Sequence, residues 1–329
     1  SWYRTSYSRL TVLAHEPRIR SETAEPLKDD EHLPAGVAGS AGADEDADLR
    51  SVPLPLGDLP AGTAFGTFVH AVLEETAFDA GDLDDELALR VGEQLAHFPI
   101  DGVDREVLVG GLRRVLETPL GPLAGETCLA GVPQAARLDE LGFELPLAGG
   151  DTPTGGVTLA GIGRLLEVHL DPDDPVAAYA ERLAEPALQQ TARGYLTGSI
   201  DLVLRVGDDG DPRFLVVDHK TNRLAPPDEE LTAWHYRRAA LNEAMAAGHY
   251  HLQALLYTVA LHRFLRWRLR EPAYEPDRHL GGVLYLFLRG MTGADVPRSG
   301  GQPCGVFSWR PPTELVVALS DLLDQGEAR

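Results

Sequence analysis

The sequence of 329 residues predicts an α/β domain whose first half is largely helical. Apolar residues recur every three or four positions in three segments between residues 64 and 116, a spacing typical of amphipathic helices. After residue 194, two segments of strand length flank a turn rich in Gly and Asp, as in a β-hairpin. The composition, with 43% apolar and 24% charged residues, is ordinary for a globular protein.

We predict four segments along the chain. They are a lead-in at 1–20, an acidic low-complexity linker or loop at 21–62, a mainly helical part at 63–193 and a core at 194–329. The helices predicted in the third segment are Ala64–Thr76, Asp84–His97, Arg105–Leu116 and Pro175–Ala192. In the same segment, Leu141–Leu147 is predicted as a strand, whereas Val157–Leu170 fits either a strand or a helix.

The first strand of the core segment, Gly198–Val206, alternates between apolar and polar residues. Strict alternation places Ile200 and Leu202 on one face and Asp201 on the other. A polar turn of Gly and Asp follows and predicts that the chain reverses direction.

The returning strand, Phe214–Lys220, ends in three polar residues. Alternation places Asp218 and Lys220 on one face and His219 on the other, and a tight hairpin would bring Asp201 beside them. The remaining elements are predicted as helices at Leu231–Ala247, His249–Leu269 and Thr313–Gln325, with a buried strand at Gly282–Leu288.

Asp201, Asp218 and Lys220 form the first candidate site. Two carboxylates at the end of a buried sheet repel each other and lose hydration, and a divalent cation such as Mg²⁺ offsets both costs. A lysine beside that cation can position or deprotonate a water molecule and stabilise charge on a phosphate. The same short pattern also fits an Asp–Lys pair that caps a strand end, next to a hydrogen-bonded Asp201.

Lysine is scarce in this chain, which draws attention to Lys220. Of the 29 basic residues only Lys28 and Lys220 are lysines, so arginine stands at all the others. A compact ammonium and a forked guanidinium are not equivalent, and we expect position 220 to require the ammonium.

Two helices carry further candidates. Gln253 and Tyr257 are four residues apart and project from one face of a strongly apolar helix, either as a polar anchor of the core or as contacts to a nucleic-acid backbone. His70 lies beside the apolar face of an earlier helix, where it is either a core histidine or a ligand.

The charge and cysteine content narrow the class of protein. A net charge of −22 argues against a simple nucleic-acid binder with a basic footprint, although residues 195–270 contain ten basic and nine acidic residues. Cys128 and Cys304 are too few for a disulfide framework or a four-cysteine metal centre. No run of 18 apolar residues and no secretory leader occurs, so we expect a cytoplasmic protein without membrane contact. Because the sequence begins with Ser, we expect it to be part of a longer chain.

Five ordered motifs provide the strongest signal. They are Gly66-Thr-Phe-Val-His70, Gly194-Tyr-Leu-Thr-Gly-Ser-Ile-Asp201, Val217-Asp218-His-Lys220-Thr-Asn, His251-Leu-Gln253-Ala-Leu-Leu-Tyr257 and Gly281-Gly-Val-Leu-Tyr-Leu-Phe-Leu-Arg-Gly290. In this order they resemble the C-terminal nuclease domains of the RecB family, the beta subunits of exonuclease V, within the PD-(D/E)XK superfamily. The likeness covers most of the chain apart from residues 21–62, to which we assign no function.

The resemblance implies a restriction-endonuclease-like core, with a mixed central sheet flanked by helices. The catalytic residues that it implies are Asp201, Asp218 and Lys220. The ligands that it implies for Mg²⁺, or for Mn²⁺ as a substitute, are His70, Asp201, Asp218 and the backbone carbonyl of His219. The residues that it implies as DNA contacts or supports of the site are Gln253, Tyr257 and Glu144.

The function implied by the resemblance is metal-dependent hydrolysis of DNA phosphodiester bonds in double-strand break repair and recombination. Single-stranded DNA would be delivered by the helicase parts of RecB and by RecC- and RecD-like subunits. The alternative is an interaction module that docks the recombinase RecA, with little nuclease activity in isolation. Two cysteines cannot hold the iron–sulfur cluster of related nucleases, and the lack of a G-x-x-x-x-G-K-[ST] motif predicts no ATP site in this segment.

Overall fold

The computed structural model describes residues 4–6, 47–151, 155–188, 191–208, 210–270 and 272–327. Within them, a mixed six-stranded sheet has apolar clusters and helices on both faces. This architecture confirms the predicted α/β class with a mixed central sheet flanked by helices. Most of the lead-in and of the acidic segment, including Lys28, lies outside the described residues.

The strands are numbered in chain order. They are β1 (Arg4–Ser6), β2 (Arg137–Leu147), β3 (Val157–Thr158), β4 (Thr191–Ala192), β5 (Gly194–Val206), β6 (Arg213–Lys220), β7 (Leu280–Phe287), β8 (Arg298–Ser299), β9 (Gln302–Pro303) and β10 (Val306–Trp309). The main sheet has the order β1-β5-β6-β7-β10, and β2 pairs with the other edge of β5. The pairs β3–β4 and β8–β9 form two small sheets.

The helices also follow chain order. They are α1 (Thr63–Glu75), α2 (Leu83–His97), α3 (Arg105–Glu117), α4 (Leu159–His169), α5 (Tyr179–Leu183), α6 (Arg238–Ala247), α7 (Tyr250–Leu269), α8 (Pro276–His279) and α9 (Thr313–Gln325). Asp82 and Asp104 cap α2 and α3, because each carboxylate accepts two backbone N–H groups of the first turn. The predictions for α1, α2, α3, α7 and α9 are confirmed to within two residues at each end.

Each face of the sheet packs on a different set of helices. Leu215 and Val217 of β6 belong to the apolar cluster that contains α1, α2 and α3. Val216 belongs to the cluster that contains α7 and α9. The predicted alternation of β6 is therefore confirmed, and it directs His219 towards α1 and its two neighbours, Asp218 and Lys220, towards α7.

The neighbouring strands β5 and β6 separate near the end of β6. Their antiparallel pairing begins at Val206 and Arg213 and extends to Leu202 and Val217, beyond which the structure gives no further pairs in the described residues. The last residues of β6 continue to pair with β7. Backbone groups at this opening are thus available to side chains, and the candidate site lies here.

Strict alternation fails on β5. Ile200 lies in the α7-side cluster and Leu202 in the α1-side cluster, although the alternating pattern predicts one common face. The register with β2 skips the Glu140–Asp201 pair, and Glu140 has a φ of 49°. This local irregularity moves Asp201 to the α1 side, so the predicted common face of Ile200 and Leu202 is wrong.

Three predicted elements differ from the structure. Pro175–Ala192 is not one helix, because only Tyr179–Leu183 is α-helical and a 3-10 turn follows at Pro186–Leu188. Leu231–Ala247 is divided into a 3-10 turn and α6 by the extended backbone of Arg237. The ambiguous segment Val157–Leu170 contains both alternatives, the short β3 and then α4.

Residues 47–60, at the end of the predicted linker, pack against the folded part. Their leucines are buried, and Val52 accepts a backbone hydrogen bond from Ala233 at 3.0 Å. The guanidinium groups of Arg50 and Arg237 lie on the Trp234 ring, each 3.6 Å from its centroid. These contacts attach the chain that leads into α1 to the loop that follows β6.

Arg289 reinforces this attachment from the end of β7. Its buried guanidinium donates hydrogen bonds to the carbonyl oxygens of Leu56, Leu59 and Pro60. It also donates one of 2.7 Å to the carbonyl of Thr221, the residue after Lys220. One side chain therefore connects the approach to α1 with the end of β6.

Candidate active site

A buried ion pair occupies the α7 side of the opening. The Nζ atom of Lys220 lies 2.8 Å from Oδ2 of Asp218, and their side chains are 1% and 3% exposed. The ammonium also faces the Tyr250 ring at 4.2 Å and the Tyr285 ring at 5.6 Å from their centroids. The strand alternation explains why the pair forms, and the aromatic rings restrict where the ammonium can move.

A second group lies on the α1 side. Nδ1 of His70 lies 3.1 Å from Oδ2 of Asp201, which also accepts the backbone N–H of His219 at 2.9 Å. The imidazole of His219 is close as well, with Nδ1 3.8 Å from the same oxygen. The structure thus brings together two of the predicted ligands, His70 and Asp201, and adds the side chain of His219.

These three side chains suit a divalent cation. One ligand atom from each of His70, Asp201 and His219 lies within 4.8 Å of the others. Imidazole nitrogen and carboxylate oxygen are ordinary ligands of divalent metals. Three further carboxylates, those of Glu74, Asp139 and Glu140, line the same cleft and make its potential more negative.

Asp218 and Lys220 point to the other side of β6 from the His219 ring. The predicted roles of Asp218 and of the His219 carbonyl as ligands therefore stay predictions. The described ligand group contains neither of them. Asp218 and His219 both lie at the end of β6. An Asp218 carboxylate that turned from Lys220 towards the opening would complete the predicted set of metal ligands.

Gln253 and Tyr257 lie behind the ion pair. Nε2 of Gln253 donates to the Tyr257 hydroxyl at 3.2 Å, and the Tyr285 hydroxyl donates to Oε1 of Gln253 at 3.0 Å. Both residues are buried. Of the two roles predicted for them, this network favours support of the site, because it fixes the Tyr285 ring that faces Lys220.

Glu144 lies apart from these groups. It is exposed on β2 and pairs in register with Thr197, four residues before Asp201 on β5. Four strand residues correspond to about 13 Å. Its predicted role as a DNA contact or support stays a prediction, and Asp139 and Glu140 are the β2 carboxylates that line the cleft.

Sequence reasoning missed three contributors. The Tyr250 and Tyr285 rings read as core aromatics, and only the position of Tyr250 at the first turn of α7 hinted that it faces the end of β6. The side chain of His219 was not considered as a ligand, although alternation already assigned it a face of its own.

None of the described helices combines the length and hydrophobicity that spanning a bilayer requires.

The comparison with protein families agrees with this geometry. The model of the PD-(D/E)XK nuclease superfamily matches residues 48–301, which is most of the chain. The chain therefore belongs to the PD-(D/E)XK nuclease superfamily, and the predicted restriction-endonuclease-like core is confirmed. Nucleases of this superfamily depend on metal ions, and the candidate ligands His70 and Asp201 both fall inside the matched region.

Individual relatives are more specific. The chain is 48% identical over 330 residues to the RecBCD enzyme subunit RecB of Mycolicibacterium smegmatis, covering 98% of the chain and 29% of that protein. It is 49% identical to RecB of Mycobacterium tuberculosis over 99% of the chain and 29% of that protein. RecB of Escherichia coli is 30% identical over 98% of the chain and 23% of its own length. The chain thus spans less than a third of these relatives, and the predicted resemblance to the RecB family is confirmed.

Proposed function

We propose that this chain is the metal-dependent deoxyribonuclease domain of a RecB-type helicase–nuclease. The observation that carries the proposal is the placement of the His70–Asp201–His219 group and the buried Asp218–Lys220 pair at one opening between β5 and β6. A nitrogen-and-carboxylate ligand set beside a buried lysine matches the requirements of phosphodiester hydrolysis.

Each residue then has a defined task. His70, Asp201 and Asp218, with the carbonyl of His219, would hold Mg²⁺ or its substitute Mn²⁺. The bound cation would polarise the scissile phosphate and stabilise charge on the departing oxygen. Lys220 would hold the attacking water at Nζ. As a neutral amine it would take the proton that the water releases, and as the resulting ammonium it would give that proton to the departing oxygen, while Tyr250 and Tyr285 keep its side chain in place.

The relatives suggest the larger setting. They are named as subunits of the RecBCD enzyme, and we propose that this chain works in a corresponding complex in double-strand break repair and recombination. The rest of a RecB-like protein and RecC- and RecD-like subunits would deliver single-stranded DNA in the cytoplasm. Delivery by other parts also explains how a chain with net charge −22 acts on a polyanion.

An interaction module for RecA is the other function considered. Such a module would have no need for a lysine and an aspartate buried together beside a group of metal ligands, because burying that pair costs desolvation. Docking of RecA is therefore an additional role at most, and the nuclease is the function that the site supports best.

A cleavage assay tests the nuclease proposal. The purified chain is incubated with linear and circular single-stranded DNA in Mg²⁺, Mn²⁺, Ca²⁺ or EDTA, and products are resolved by length. We expect cleavage with Mg²⁺ or Mn²⁺ and none in EDTA, and cleavage of the circle would demonstrate endonuclease action. Asp201→Asn should abolish the activity, whereas Asp324→Asn, an exposed aspartate of α9, should leave it unchanged. Equal cleavage by Asp201→Asn and wild type would contradict the proposed site.

A further inference from the structure

We propose that the His219 imidazole is itself a metal ligand and gives the site a preference for cations that bind nitrogen, such as Mn²⁺ and Co²⁺, over Mg²⁺. The inference deepens the proposed nuclease function and rests on it. It assigns a selective role to the residue between the aspartate and the lysine of the Asp218-His-Lys220 motif.

The position of the ring supports this role. His219 points to the α1 side of β6, opposite to Asp218 and Lys220, and its side chain is only 5% exposed. Its ring lies edge-on to that of His70, with 5.9 Å between the centroids and 74° between the planes. Nδ1 of His70 and Nδ1 of His219 lie 3.1 Å and 3.8 Å from Oδ2 of Asp201, and one ligand atom from each of the three residues lies within 4.8 Å of the others.

The backbone of His219 has a separate task. Its N–H donates to Oδ2 of Asp201 at 2.9 Å and orients that carboxylate whatever side chain stands at position 219. A substitution there removes the imidazole and keeps the hydrogen bond that holds Asp201. The position therefore allows a clean test of the ring alone.

Coordination chemistry gives the expected selectivity. Mg²⁺ is a hard cation that prefers oxygen ligands in octahedral geometry and gains little from an added imidazole. The affinity of imidazole-containing sites for first-row transition metals rises from Mn²⁺ through Co²⁺ to the later metals, so Co²⁺ gains more from a second imidazole than Mn²⁺ does. The neighbouring Glu74, Asp139 and Glu140 attract any cation alike, so the two nitrogen atoms are what distinguishes one metal from another.

The test measures metal binding in the absence of DNA. Isothermal titration calorimetry gives affinities for Mg²⁺ and Mn²⁺, electron paramagnetic resonance detects bound Mn²⁺, and visible absorption reports nitrogen ligands on Co²⁺. The variants are His219→Phe, which keeps a ring beside His70, and His219→Asn, which is used if the first fails to fold by circular dichroism. His97→Phe removes an exposed histidine from α2 and serves as the matched control.

We expect loss of the imidazole to weaken Mn²⁺ and Co²⁺ binding by roughly tenfold or more, with Mg²⁺ affinity changed by less than about threefold. The Co²⁺ spectrum should shift towards that of an oxygen-rich site, and His97→Phe should match the wild type. Unchanged Mn²⁺ affinity and an unchanged Co²⁺ spectrum in both His219 variants would overturn the inference and leave the nuclease proposal intact. If the wild type binds no metal and Asp201→Asn gives the same titration as the wild type, the result would count against the proposed function itself.

Discussion

Lys220 lies between the Asp218 carboxylate and the rings of Tyr250 and Tyr285, in a space shaped for an ammonium group. This chain uses arginine at nearly every basic position, so we expect that arginine cannot replace the lysine at this buried site. A guanidinium is wider than an ammonium. Because it stays protonated, it cannot release a proton and take it up again during the reaction.

We therefore expect Lys220→Arg to lower the rate of DNA cleavage by roughly a hundredfold or more, the range associated with losing acid–base assistance. Metal binding, measured by titration calorimetry, should be largely retained. Lys28→Arg, at the only other lysine, is the control and should cleave like the wild type. A Lys220→Arg enzyme within a few-fold of wild-type activity would reduce Lys220 to a positive charge near the phosphate.

We propose both a structural and a catalytic role for Asp218, and a pair of substitutions separates the two roles. Asp218→Ala leaves a buried ammonium without its carboxylate, so we expect the free energy of unfolding to fall by about 3 kcal/mol. The double variant Asp218→Ala with Lys220→Met replaces the ion pair by apolar groups and should recover most of that loss while remaining inactive. Urea unfolding and cleavage rates check the two halves. Recovery of activity in the double variant would show that neither residue belongs to the catalytic site.

At the scale of the secondary-structure elements, the sequence predicted correctly those strands in which residues alternate between the two faces without interruption. The alternation of β6 located Asp218, Lys220 and His219 on their observed faces, because this strand is buried on both sides and pairs with β7 in continuous register from Leu215 to Lys220. The same reasoning failed on β5, where the irregular register at Glu140 turns Asp201 towards His70. A one-residue irregularity depends on the partner strand and leaves no periodic signal in the strand that carries it.

The helices predicted at Pro175–Ala192 and Leu231–Ala247 are both interrupted, and only the first interruption has a cause that can be recognised in the sequence. Pro186 lacks a backbone N–H and restricts the residue before it, which is sufficient to interrupt the predicted Pro175–Ala192 helix. Arg237 interrupts the other helix through tertiary contacts. The preceding turn is held by distant segments, because Ala233 donates a backbone hydrogen bond to Val52 at 3.0 Å and Gly305 donates one to Tyr236 at 3.0 Å. The first signal lies in the sequence, whereas the second requires the fold.

Arg289 tests how strongly the elements around the site depend on each other. It bonds the approach to α1 and the end of β6 simultaneously, so Arg289→Met should release Leu56–Pro60 from the Thr221 loop. The lost charge-assisted hydrogen bonds should cost on the order of 3 kcal/mol of stability. Hydrogen–deuterium exchange should rise in peptides covering 54–60 and 221–224, and Mn²⁺ affinity should fall because His70 is less well placed.

Arg289→Lys is the comparison, since one ammonium can reach only some of the four carbonyls and should give intermediate exchange. If exchange in both peptides matches the wild type in Arg289→Met, the residue does not couple these elements.

At the scale of the whole molecule, a net charge of −22 is combined with buried neutral histidines, and both affect the response to acid. Burial first, and then the nearby charges of Arg182 and His249, lower the pKa of His251 from 6.5 to about 3. The His251 ring is buried against Tyr179 and Phe307. Burial also lowers the pKa of His262 to about 4, with Arg266 and Arg263 adding to the effect.

The sign of the resulting pH dependence follows from these directions. An unfolded chain takes up a proton at each histidine near pH 6.5, whereas the folded chain does so only below about pH 4, so the unfolded state binds more protons in between. The contribution of these histidines to the free energy of unfolding is therefore fully present above pH 6.5. It is lost progressively as the pH falls through 6 and 5. Each histidine adds up to about 1.4 kcal/mol per pH unit to the slope of the free energy of unfolding against pH.

His251→Phe should remove one such contribution. A phenyl ring fits the aromatic surroundings and cannot be protonated, so the variant should be as stable as the wild type at pH 7.5 and more stable near pH 5. Urea unfolding at pH 7.5, 6.5, 5.5 and 5.0 measures the slope, which we expect to decrease by about 1 kcal/mol per pH unit. His97→Phe, at an exposed position, should leave the slope unchanged. Identical slopes for His251→Phe and wild type would show that His251 is protonated in the folded chain, and that acid sensitivity arises from the carboxylates instead.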